Sequence, residues 1–369
     1  MHNRLIVENF KCFANPTDIE LAKITVCVGM NSVGKSSVIQ SMLLLRQVYD
    51  EAFKYKDSSI SKFLINLNDV YGLQLGQAKN IMSSHDKNAI CIGIDEMIFD
   101  LEICDNPYCL SLDFLYTFEE IRKKGGIFSD EFYYLNAERI GPRNYQEMMS
   151  SLNTCCGIHG ENTYHAISEM YINKIEEARL FPDSSKKVNQ LNKQIEYWMD
   201  YIVPGVELDF KENEDLRISQ FHIRQQFFDT GFLSPYNFGF GISYVLPIIV
   251  TGLVAEKGSV LMVENPEAHL HPSGQSRIGY FLAMVAMSGV QIIIETHSEH
   301  VVNGIRIAAL KEGMDCNYIG LNYFSINTET HEHKVESVKM NERMDIVNWP
   351  DGFFDQEEKD LRFLRELRR

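Results

Sequence analysis

The feature that most constrains the fold is the segment from Gly29 to Ser36, GMNSVGKS. The residues before it, KITVCVG, form a short and nearly continuous apolar run rich in β-branched side chains, as buried strands do. The residues after it, from Lys35 to about Tyr49, carry apolar side chains at helical spacing. A strand, a glycine-rich turn and a helix in this order predict a phosphate-binding loop, or P-loop, rather than a chance glycine turn.

The predicted loop has the chemistry to hold ATP with Mg²⁺. Its glycines let backbone N–H groups turn inward around phosphate oxygens, and the helix that follows presents a favourable dipole. We expect Lys35 to reach the β- and γ-phosphates and the Ser36 hydroxyl to ligate Mg²⁺. The residues predicted to contact the nucleotide are Asn31, Ser32, Val33, Gly34, Lys35, Ser36 and Ser37.

A P-loop also needs a carboxylate at the end of a neighbouring strand to hold Mg²⁺ directly or through water. Glu264 ends the apolar run SVLMVE, and ligands of open α/β sheets bind at the carboxyl ends of the strands. We therefore predict Glu264 as the second metal ligand and a catalytic residue. The alternative is an acid that only caps the strand.

The rest of the chain predicts two α/β halves separated by a different kind of structure. From about residue 90 to 140 the chain is strand-like and predicts an antiparallel sheet, whereas residues 161–201 have polar helical character. VELDFKEN and LRISQFHIR predict a hairpin turning near Glu212 to Glu214. After Gly239, apolar strands alternate with amphipathic helices, which predicts a mostly parallel sheet with helices on both faces.

This organisation divides the chain into four expected parts. They are the first half of the ATPase domain (1–89), the antiparallel sheet with an inserted helical region (90–235), the second half of the ATPase domain (236–326) and a small C-terminal extension (327–369). The fold class is therefore α/β. The basic runs Lys186-Lys187 and Arg365 to Arg369 are expected to be solvated helix faces.

Composition bears on partners and location. Acidic residues outnumber basic ones by 51 to 35, and the net charge is −16. Proteins that wrap duplex DNA are usually basic, so this balance disfavours passive DNA wrapping and leaves a local basic patch open. No apolar run is long enough for a membrane span and no secretory pattern opens the chain, so we expect a cytoplasmic protein. The eight cysteines include no CxxC pair, which favours buried, reduced thiols over zinc.

Several segments carry a resemblance to a known family. Residues 260–272, VLMVENPEAHLHP, resemble the extended Walker B motif of the ABC-type ATPases of the OLD (overcoming lysogenization defect) and SMC–RecF group. The opening LIVENFKCF, the segment NFGFGISYVLPI and the segment IIETHSEH are similar to that group's N-terminus, signature segment and switch-histidine segment. YLNAERIGPRNY and WPDGFFDQ look closer to a subfamily of bacterial predicted ATPases with an uncharacterised C-terminal domain.

The resemblance implies an ABC-type P-loop NTPase head with a mostly parallel core sheet, an antiparallel β subdomain and an inserted helical region. In that arrangement Gly241 and Ser243 read the γ-phosphate bound by a second copy, so that ATP joins a head-to-tail homodimer. His297 would lie near the γ-phosphate and the attacking water. A lone histidine at a strand end is otherwise more often structural.

One residue departs from the pattern of many ABC-type ATPases. They place a glutamate directly after the Walker B acid, where it polarises water, whereas this chain has Asn265. Asparagine cannot accept a proton, so we expect slow hydrolysis or another base. Glu267 is the nearest candidate for a catalytic base, and Glu295 is an alternative.

Other residues receive weaker assignments. Arg139 and Arg143 would contact phosphate, nucleic acid or a partner subunit, or else be surface arginines that bond carboxylates. His269 and His271 suggest a metal pair by spacing, but they lie where the resemblance puts a subunit contact, which we favour for His271. Gln77, in LQLGQAKN, is the candidate for the Q-loop.

The leading functional hypothesis is an ATP-gated switch that passes its state to DNA or to a separate effector such as a nuclease. OLD-type relatives carry a TOPRIM nuclease, but no DxD-like acid cluster follows His297, so none is predicted in this chain. The resemblance also implies a setting in bacterial anti-phage defence. The alternatives are a DNA-repair or chromosome-handling clamp, a small-molecule kinase, and a transporter ATPase that would need a membrane partner.

Overall fold

The computed structural model describes residues 1–58, 60–84, 86–148, 155–183, 185–186, 188–227, 229–327 and 329–368. The strands within these ranges are β1 (Arg4–Glu8), β2 (Thr17–Glu20), β3 (Ile24–Gly29), β4 (Lys62–Asn66), β5 (Ala89–Ile94), β6 (Met97–Ile103), β7 (Cys109–Asp113), β8 (Phe132–Leu135), β9 (Tyr145–Glu147), β10 (Val206–Asn213), β11 (Ile218–Gln225), β12 (Val260–Glu264), β13 (Gln291–Thr296), β14 (Ile319–Ile326) and β15 (His333–Val338). The α-helices are α1 (Lys35–Lys54), α2 (Phe118–Lys124), α3 (Thr163–Glu169), α4 (Leu191–Ile202), α5 (Phe240–Val254), α6 (Pro272–Met287), α7 (Glu299–Glu312) and α8 (Gln356–Leu367).

The P-loop strand β3 lies inside a sheet with the order β15-β14-β3-β13-β12-β8. The five strands from β14 to β8 are parallel, and β15 pairs antiparallel with β14 at one edge. Parallel strands require crossover connections: α6 joins the neighbours β12 and β13, and α7 carries the chain from β13 past β3 to β14. The predicted mostly parallel core sheet is confirmed.

The two faces of this sheet bury different sets of side chains. On β13, Ile292 and Ile294 belong to a cluster that includes α4, α5, α6 and α7, whereas Ile293 belongs to a second cluster with α1 and the antiparallel sheet. Successive side chains of a strand point to opposite faces, so a continuous apolar run is what a strand covered on both sides needs. The carboxyl ends of β3, β12 and β13 therefore meet at one edge of a rigid layer.

A second sheet is antiparallel, with the order β2-β1-β5-β6-β7-β4. It confirms the predicted antiparallel β subdomain, with two local corrections. The segment predicted as its last strand is β8, which instead joins the parallel sheet beside β12. Residues 118–124 of the range predicted as strand form α2 instead, because Thr117 and Glu120 form a capping box that satisfies the helix N-terminus.

The inserted region contains α3, α4 and a small sheet with the order β10-β11-β9. The hairpin of β10 and β11 is confirmed, with Val206 opposite Gln225 and Asn213 opposite Ile218. The helical character expected over residues 161–201 is interrupted, because α3 ends at Glu169. Beyond it, backbone groups bond another segment instead, with Ile175 N–H donating to the Asn189 carbonyl at 2.7 Å.

The expected division of the chain at residues 89, 235 and 326 stays a prediction. Strand β5 begins at Ala89, so the first boundary falls inside the antiparallel sheet. The core sheet also takes β8 from the expected middle part and β15 from the expected extension. The sheets thus join stretches that are far apart in the sequence.

The cysteines, the basic runs and the apolar helices were also the subject of predictions. In the part of the chain that the structure describes, no helix combines the length and apolar character of a membrane span. Cys27, Cys155 and Cys156 are buried and the other five cysteines are partly exposed, all as free thiols. Lys186 was expected on a solvated helix face but lies outside any helix, whereas Arg365 lies on α8 as expected. Lys187 and Arg369 lie outside the described residues.

Candidate nucleotide site

The P-loop has the backbone that its glycines predict. Gly29 has φ 146° and Gly34 has φ 113°, a region that residues with a Cβ rarely adopt. A Cβ on Gly29 would stand 2.2 Å from the Phe324 carbonyl oxygen, and one on Gly34 would stand 2.6 Å from the Cys12 sulfur. Both positions therefore require glycine, for conformation and for space.

Lys35 is buried at the start of α1, and its ammonium lies within the loop. The Nζ atom donates hydrogen bonds to the carbonyls of Gly29 at 3.0 Å and Met30 at 2.5 Å. Burial lowers the pKa of this lysine, while the nearby charge of Glu295 acts in the opposite direction. The loop carbonyls thus hold the cation at the place where phosphates are expected.

The Ser36 hydroxyl bonds a carboxylate that sequence reasoning named only as an alternative base. Its Oγ donates to Glu295 Oε1 at 2.8 Å. Glu295 is 5% exposed, and its Oε2 has no hydrogen-bond partner among the described residues. Burial, followed by the charge of Glu264, raises the pKa of Glu295 to about 7.

Glu264 lies beside Glu295, because β12 and β13 are parallel and these two residues pair in register. Its Oε1 accepts a hydrogen bond from the Tyr134 hydroxyl at 2.7 Å. Burial raises the pKa of Glu264, and the hydrogen bond from Tyr134 opposes that rise. A buried carboxylate, Glu295, and a partly buried one, Glu264, therefore face the P-loop, and Tyr134 bonds Glu264.

Glu267 and His297 meet where β13 ends. Glu267 Oε2 accepts from the Thr296 hydroxyl at 2.7 Å, and Oε1 accepts from the His297 backbone N–H at 2.8 Å. Burial and the charge of Lys35 lower the pKa of the His297 ring. Both oxygens of Glu267 thus accept hydrogen bonds from the turn that carries His297. Of the two predicted bases, Glu295 is therefore the one with fewer hydrogen bonds to its carboxylate.

Arg139 and Arg143 lie in different environments. Arg139 is buried and donates to the carbonyls of Glu264 and Asn265, each at 2.7 Å, so it matches none of the roles predicted for it. It is excluded from the surface because the loop after β8 folds over the end of β12. Arg143 is exposed and donates to the Pro142 carbonyl at 3.0 Å.

The segment predicted as the signature forms the start of α5. Gly239 is the N-cap, and a Cβ there would meet nothing within 4 Å, so the helix N-terminus is open. A Cβ on Gly241 would stand 2.6 Å from the His269 carbonyl oxygen, which accounts for that glycine. Ser243 is 8% exposed and its buried Oγ has no partner among the described residues, so this hydroxyl faces inward. Phe240, in contrast, is 52% exposed.

The two histidines of HLHP have local roles. The His269 ring lies 4.7 Å from the Tyr244 ring, centroid to centroid, in an edge-on arrangement. His271 accepts a hydrogen bond from the Ser273 N–H and thereby caps the N-terminus of α6. Its expected subunit contact stays a prediction.

A single cleft joins the predicted nucleotide residues. Its volume is about 450 Å³, within the ordinary range of small-molecule sites. Of the predicted site residues, Val33, Gly241, Ser243 and Glu267 do not line this cleft, and neither does Gln77, which is exposed. The residues that line the cleft are Lys11, Cys12, Asn31, Ser32, Gly34, Lys35, Ser36, Ser37, Gln40, Ala137, Glu264, Asn265, Glu295 and His297.

Sequence reasoning missed Lys11, Cys12, Gln40 and Ala137. Lys11 has φ 52°, and its Nζ donates to Gln40 Oε1 at 2.6 Å. Burial lowers the pKa of Lys11, and an anion bound in the cleft would favour its charged form. Its position directly after the first predicted strand, in LIVENFKCF, was the available signal.

The oxygen atoms of the cleft fit a magnesium ion. Mg²⁺ prefers oxygen ligands and is usually held by one or two carboxylates with substrate phosphates. Ser36 supplies a hydroxyl, and Glu264 and Glu295 supply carboxylates; one buried oxygen of Glu295 has no partner within the described part of the chain. The Oδ1 atom of Asn265 is also buried without a partner among the described residues.

Comparison with known proteins decides the family. Residues 24–303 match the family described as "AAA domain, putative AbiEii toxin, Type IV TA system". The chain belongs to this family. Residues 315–364 match a second model, "Protein of unknown function (DUF3696)". No curated protein matches the sequence.

Solved structures with a similar fold include head domains of SMC proteins. One, the SmcHead bound to the C-winged helix domain of ScpA, has a TM-score of 0.56 and 13% identity over 93% of this chain and 99% of that one. Another, an Smc head domain with an extended coiled coil bound to the C-terminal domain of ScpA derived from Pyrococcus furiosus, has a TM-score of 0.51 and 13% identity over 100% and 99%. These structures confirm the predicted ABC-type head fold, and the family match over residues 24–303 confirms an ATPase of the AAA-domain type.

Proposed function

We propose that the protein is a Mg²⁺-dependent switch that binds and slowly hydrolyses ATP, dimerises head-to-tail around it, and gates a partner effector or DNA. The observation that carries the proposal is the single cleft in which the P-loop, two carboxylates and His297 come together. The membership in an AAA ATPase family supports the nucleotide and the hydrolysis. The protein would act in the cytoplasm.

Binding would begin with the residues that line the P-loop. The backbone N–H groups from Asn31 to Ser37 and the N-terminus of α1 would hold the phosphate oxygens. Lys35 would exchange its bonds to the carbonyls of Gly29 and Met30 for phosphate oxygens. Mg²⁺, held by Ser36 and Glu264 with Glu295 beside them, would neutralise phosphate charge when bound.

Hydrolysis would require a water near His297 and an acceptor for its proton. The lowered pKa of His297 keeps its imidazole neutral at physiological pH, so one ring nitrogen can accept a hydrogen bond. Asn265 cannot take the proton, and Glu267 uses both oxygens to hold the turn after β13. We propose Glu295 as the base that remains and slow turnover as the consequence.

Dimerisation would use the open N-terminus of α5. Helix N-termini bind anions through unpaired N–H groups and the helix dipole. Gly239 leaves this end uncovered, and it lies outside the cleft of its own chain. A second copy that places this end on the phosphates would complete the site, and Gly241 keeps it packed on the segment after Glu264.

The output of the switch would lie in a separate molecule. One similar SMC head is bound to the C-winged helix domain of ScpA, which supports a protein partner. The family description refers to a toxin and a type IV TA system, which suits an effector and the anti-phage setting. An effector such as a nuclease would be a separate chain.

Light scattering tests the proposal. We expect Glu264→Gln to double its mass with ATP and Mg²⁺, because the amide oxygen can still ligate Mg²⁺ while loss of the carboxylate charge stops hydrolysis, and the wild type to do so transiently. The matched control, Lys35→Met, should stay a single chain. If Glu264→Gln binds ATP and stays a single chain, the dimer is wrong.

The second candidate is a DNA-repair or chromosome-handling clamp, which the SMC-like fold favours. It differs from the effector switch in its response to DNA. A clamp predicts ATPase activity of the purified chain that rises with added duplex DNA. Turnover that is indifferent to DNA favours the effector switch.

A further inference from the structure

The loop from Asn136 to Arg143 connects β8 with β9 and lies between the nucleotide cleft and α5. Ala137 lines the cleft. At the other end of the loop, a Cβ on Gly141 would stand 2.7 Å from the Phe240 ring, in the first turn of α5. The loop therefore touches both the nucleotide site and the signature segment of the same chain.

Arg139 is the centre of this loop. It is 2% exposed and donates three hydrogen bonds to carbonyl oxygens, those of Asn136 at 2.9 Å and of Glu264 and Asn265 at 2.7 Å each. The planar guanidinium presents several donors in a fixed fork, which a lysine cannot reproduce. Arg139 thus fixes the backbone that carries Glu264 and Asn265.

The same guanidinium faces the signature helix. Its central carbon lies 5.4 Å from the centroid of the Tyr244 ring, which belongs to the second turn of α5. Tyr244 in turn packs edge-on against the His269 ring, and the His269 carbonyl lies against Gly241. The attraction between a cation and the face of an aromatic ring is stronger when water is excluded. The contacts form one packed path from Glu264 to α5.

Burial of a charge is costly unless neighbouring groups compensate it. Here the compensation comes from the carbonyls and from the charges of Glu267 and Glu264, although burial still lowers the pKa of Arg139 to about 10. At that value the guanidinium stays charged near neutral pH. A residue whose only role was solubility would not be buried in this way.

We propose that Arg139 is a positioning residue that couples the two nucleotide sites of the dimer. The inference rests on the proposed function, in which α5 of each chain serves the ATP bound by the other. Arg139 contacts both the end of β12 at Glu264 and helix α5 of the same chain. A structural change at the nucleotide site of one chain would therefore move that chain's α5, which contacts the ATP bound by the other chain. Binding of the first ATP would therefore favour the second.

The test compares Arg139→Met with Arg143→Met, an exposed arginine of the same loop. Two quantities are measured: affinity for the fluorescent analogue mant-ATP with Mg²⁺ at protein concentrations too low for dimers, and the ATP dependence of dimerisation. For Arg139→Met we expect affinity within about threefold of wild type, dimerisation that needs about tenfold more ATP, and a Hill coefficient that falls from near two towards one. Arg143→Met should behave as wild type.

Two further variants keep the test decisive if Arg139→Met fails to fold. Arg139→Lys keeps the charge but bonds fewer carbonyls, so an intermediate Hill coefficient is expected. Tyr244→Leu keeps the carbonyl bonds and removes the ring, so it should lose cooperativity with little loss of thermal stability. A purely structural role would lower the melting temperature of these variants and leave the Hill coefficient unchanged.

The outcomes separate the two proposals. If the wild type shows no dimer with ATP, the switch is wrong and the coupling falls with it. If the wild type dimerises and the folded Arg139 and Tyr244 variants show its Hill coefficient and ATP requirement, the coupling alone is overturned. Loss of mant-ATP binding in Arg139→Met would also overturn it, since Arg139 would then act on its own site.

Discussion

The carboxyl of Glu295 provides a quantitative test of the site geometry. In the nucleotide-free protein, held in chelator, Glu295 is buried beside Glu264 and bonded to Ser36. Glu295→Gln removes the negative charge and keeps an oxygen that can accept the Ser36 hydrogen bond. The free energy of unfolding of the wild type and of Glu295→Gln is compared as pH changes. A difference that depends on pH measures the free-energy cost of ionising the Glu295 carboxyl.

The magnitude follows from the raised pKa. The pKa of Glu295 rises from 4.5 to about 7, mainly through burial. Since a tenfold change in an acid dissociation constant corresponds to about 1.4 kcal/mol, the ionised form costs about 3 kcal/mol in the folded state. The sign is set by the unfolded chain, which ionises first. The folded wild type therefore loses stability between about pH 4.5 and pH 7, and the full loss is present above that range.

Urea unfolding at two pH values measures this difference. We expect Glu295→Gln to exceed the wild type in free energy of unfolding by about 3 kcal/mol near pH 8, and by less than about 1 kcal/mol near pH 5. Glu138→Gln replaces an exposed carboxylate and serves as the control, with a difference below about 0.5 kcal/mol at both. Equal stability of wild type and Glu295→Gln near pH 8 would refute the burial argument.

Three further predictions follow from single contacts. Gly29→Ala should lose several kcal/mol of stability in urea, because its Cβ would stand 2.2 Å from the Phe324 carbonyl; a wild-type midpoint would contradict this. Tyr134→Phe should lose about 2 kcal/mol of stability by leaving Glu264 without its hydroxyl donor, and an unchanged midpoint would show that the bond is unimportant. His297→Ala should slow phosphate release about 100-fold with mant-ATP affinity retained, so wild-type turnover would exclude its role in hydrolysis.

The parts of the site that sequence could predict are local in the chain. The P-loop needs only a strand, a glycine turn and a helix, all within consecutive residues. Glu264 follows from one apolar run, and the strands after Gly239 follow from their continuous apolar character. In each case the pattern depends only on residues that are neighbours in sequence, so it can be recognised without knowledge of the tertiary structure.

The contacts that sequence missed depend on strand order. Glu295 bonds Ser36 because β13, and not β12, is the neighbour of β3, an arrangement that no linear pattern displays. Arg139 is buried because the loop after β8 folds over the end of β12, although arginine in a loop is normally exposed. The capping box of Thr117 and Glu120, in contrast, joins residues only three apart in the sequence.

A structure of Glu264→Gln with ATP and Mg²⁺ tests the central claim most directly. The account predicts two chains related by a two-fold axis, with each triphosphate held by the P-loop of one chain and by the N–H groups at Gly239 of the other. A nucleotide bound in the cleft of a single chain, with both α5 N-termini facing solvent, would contradict it.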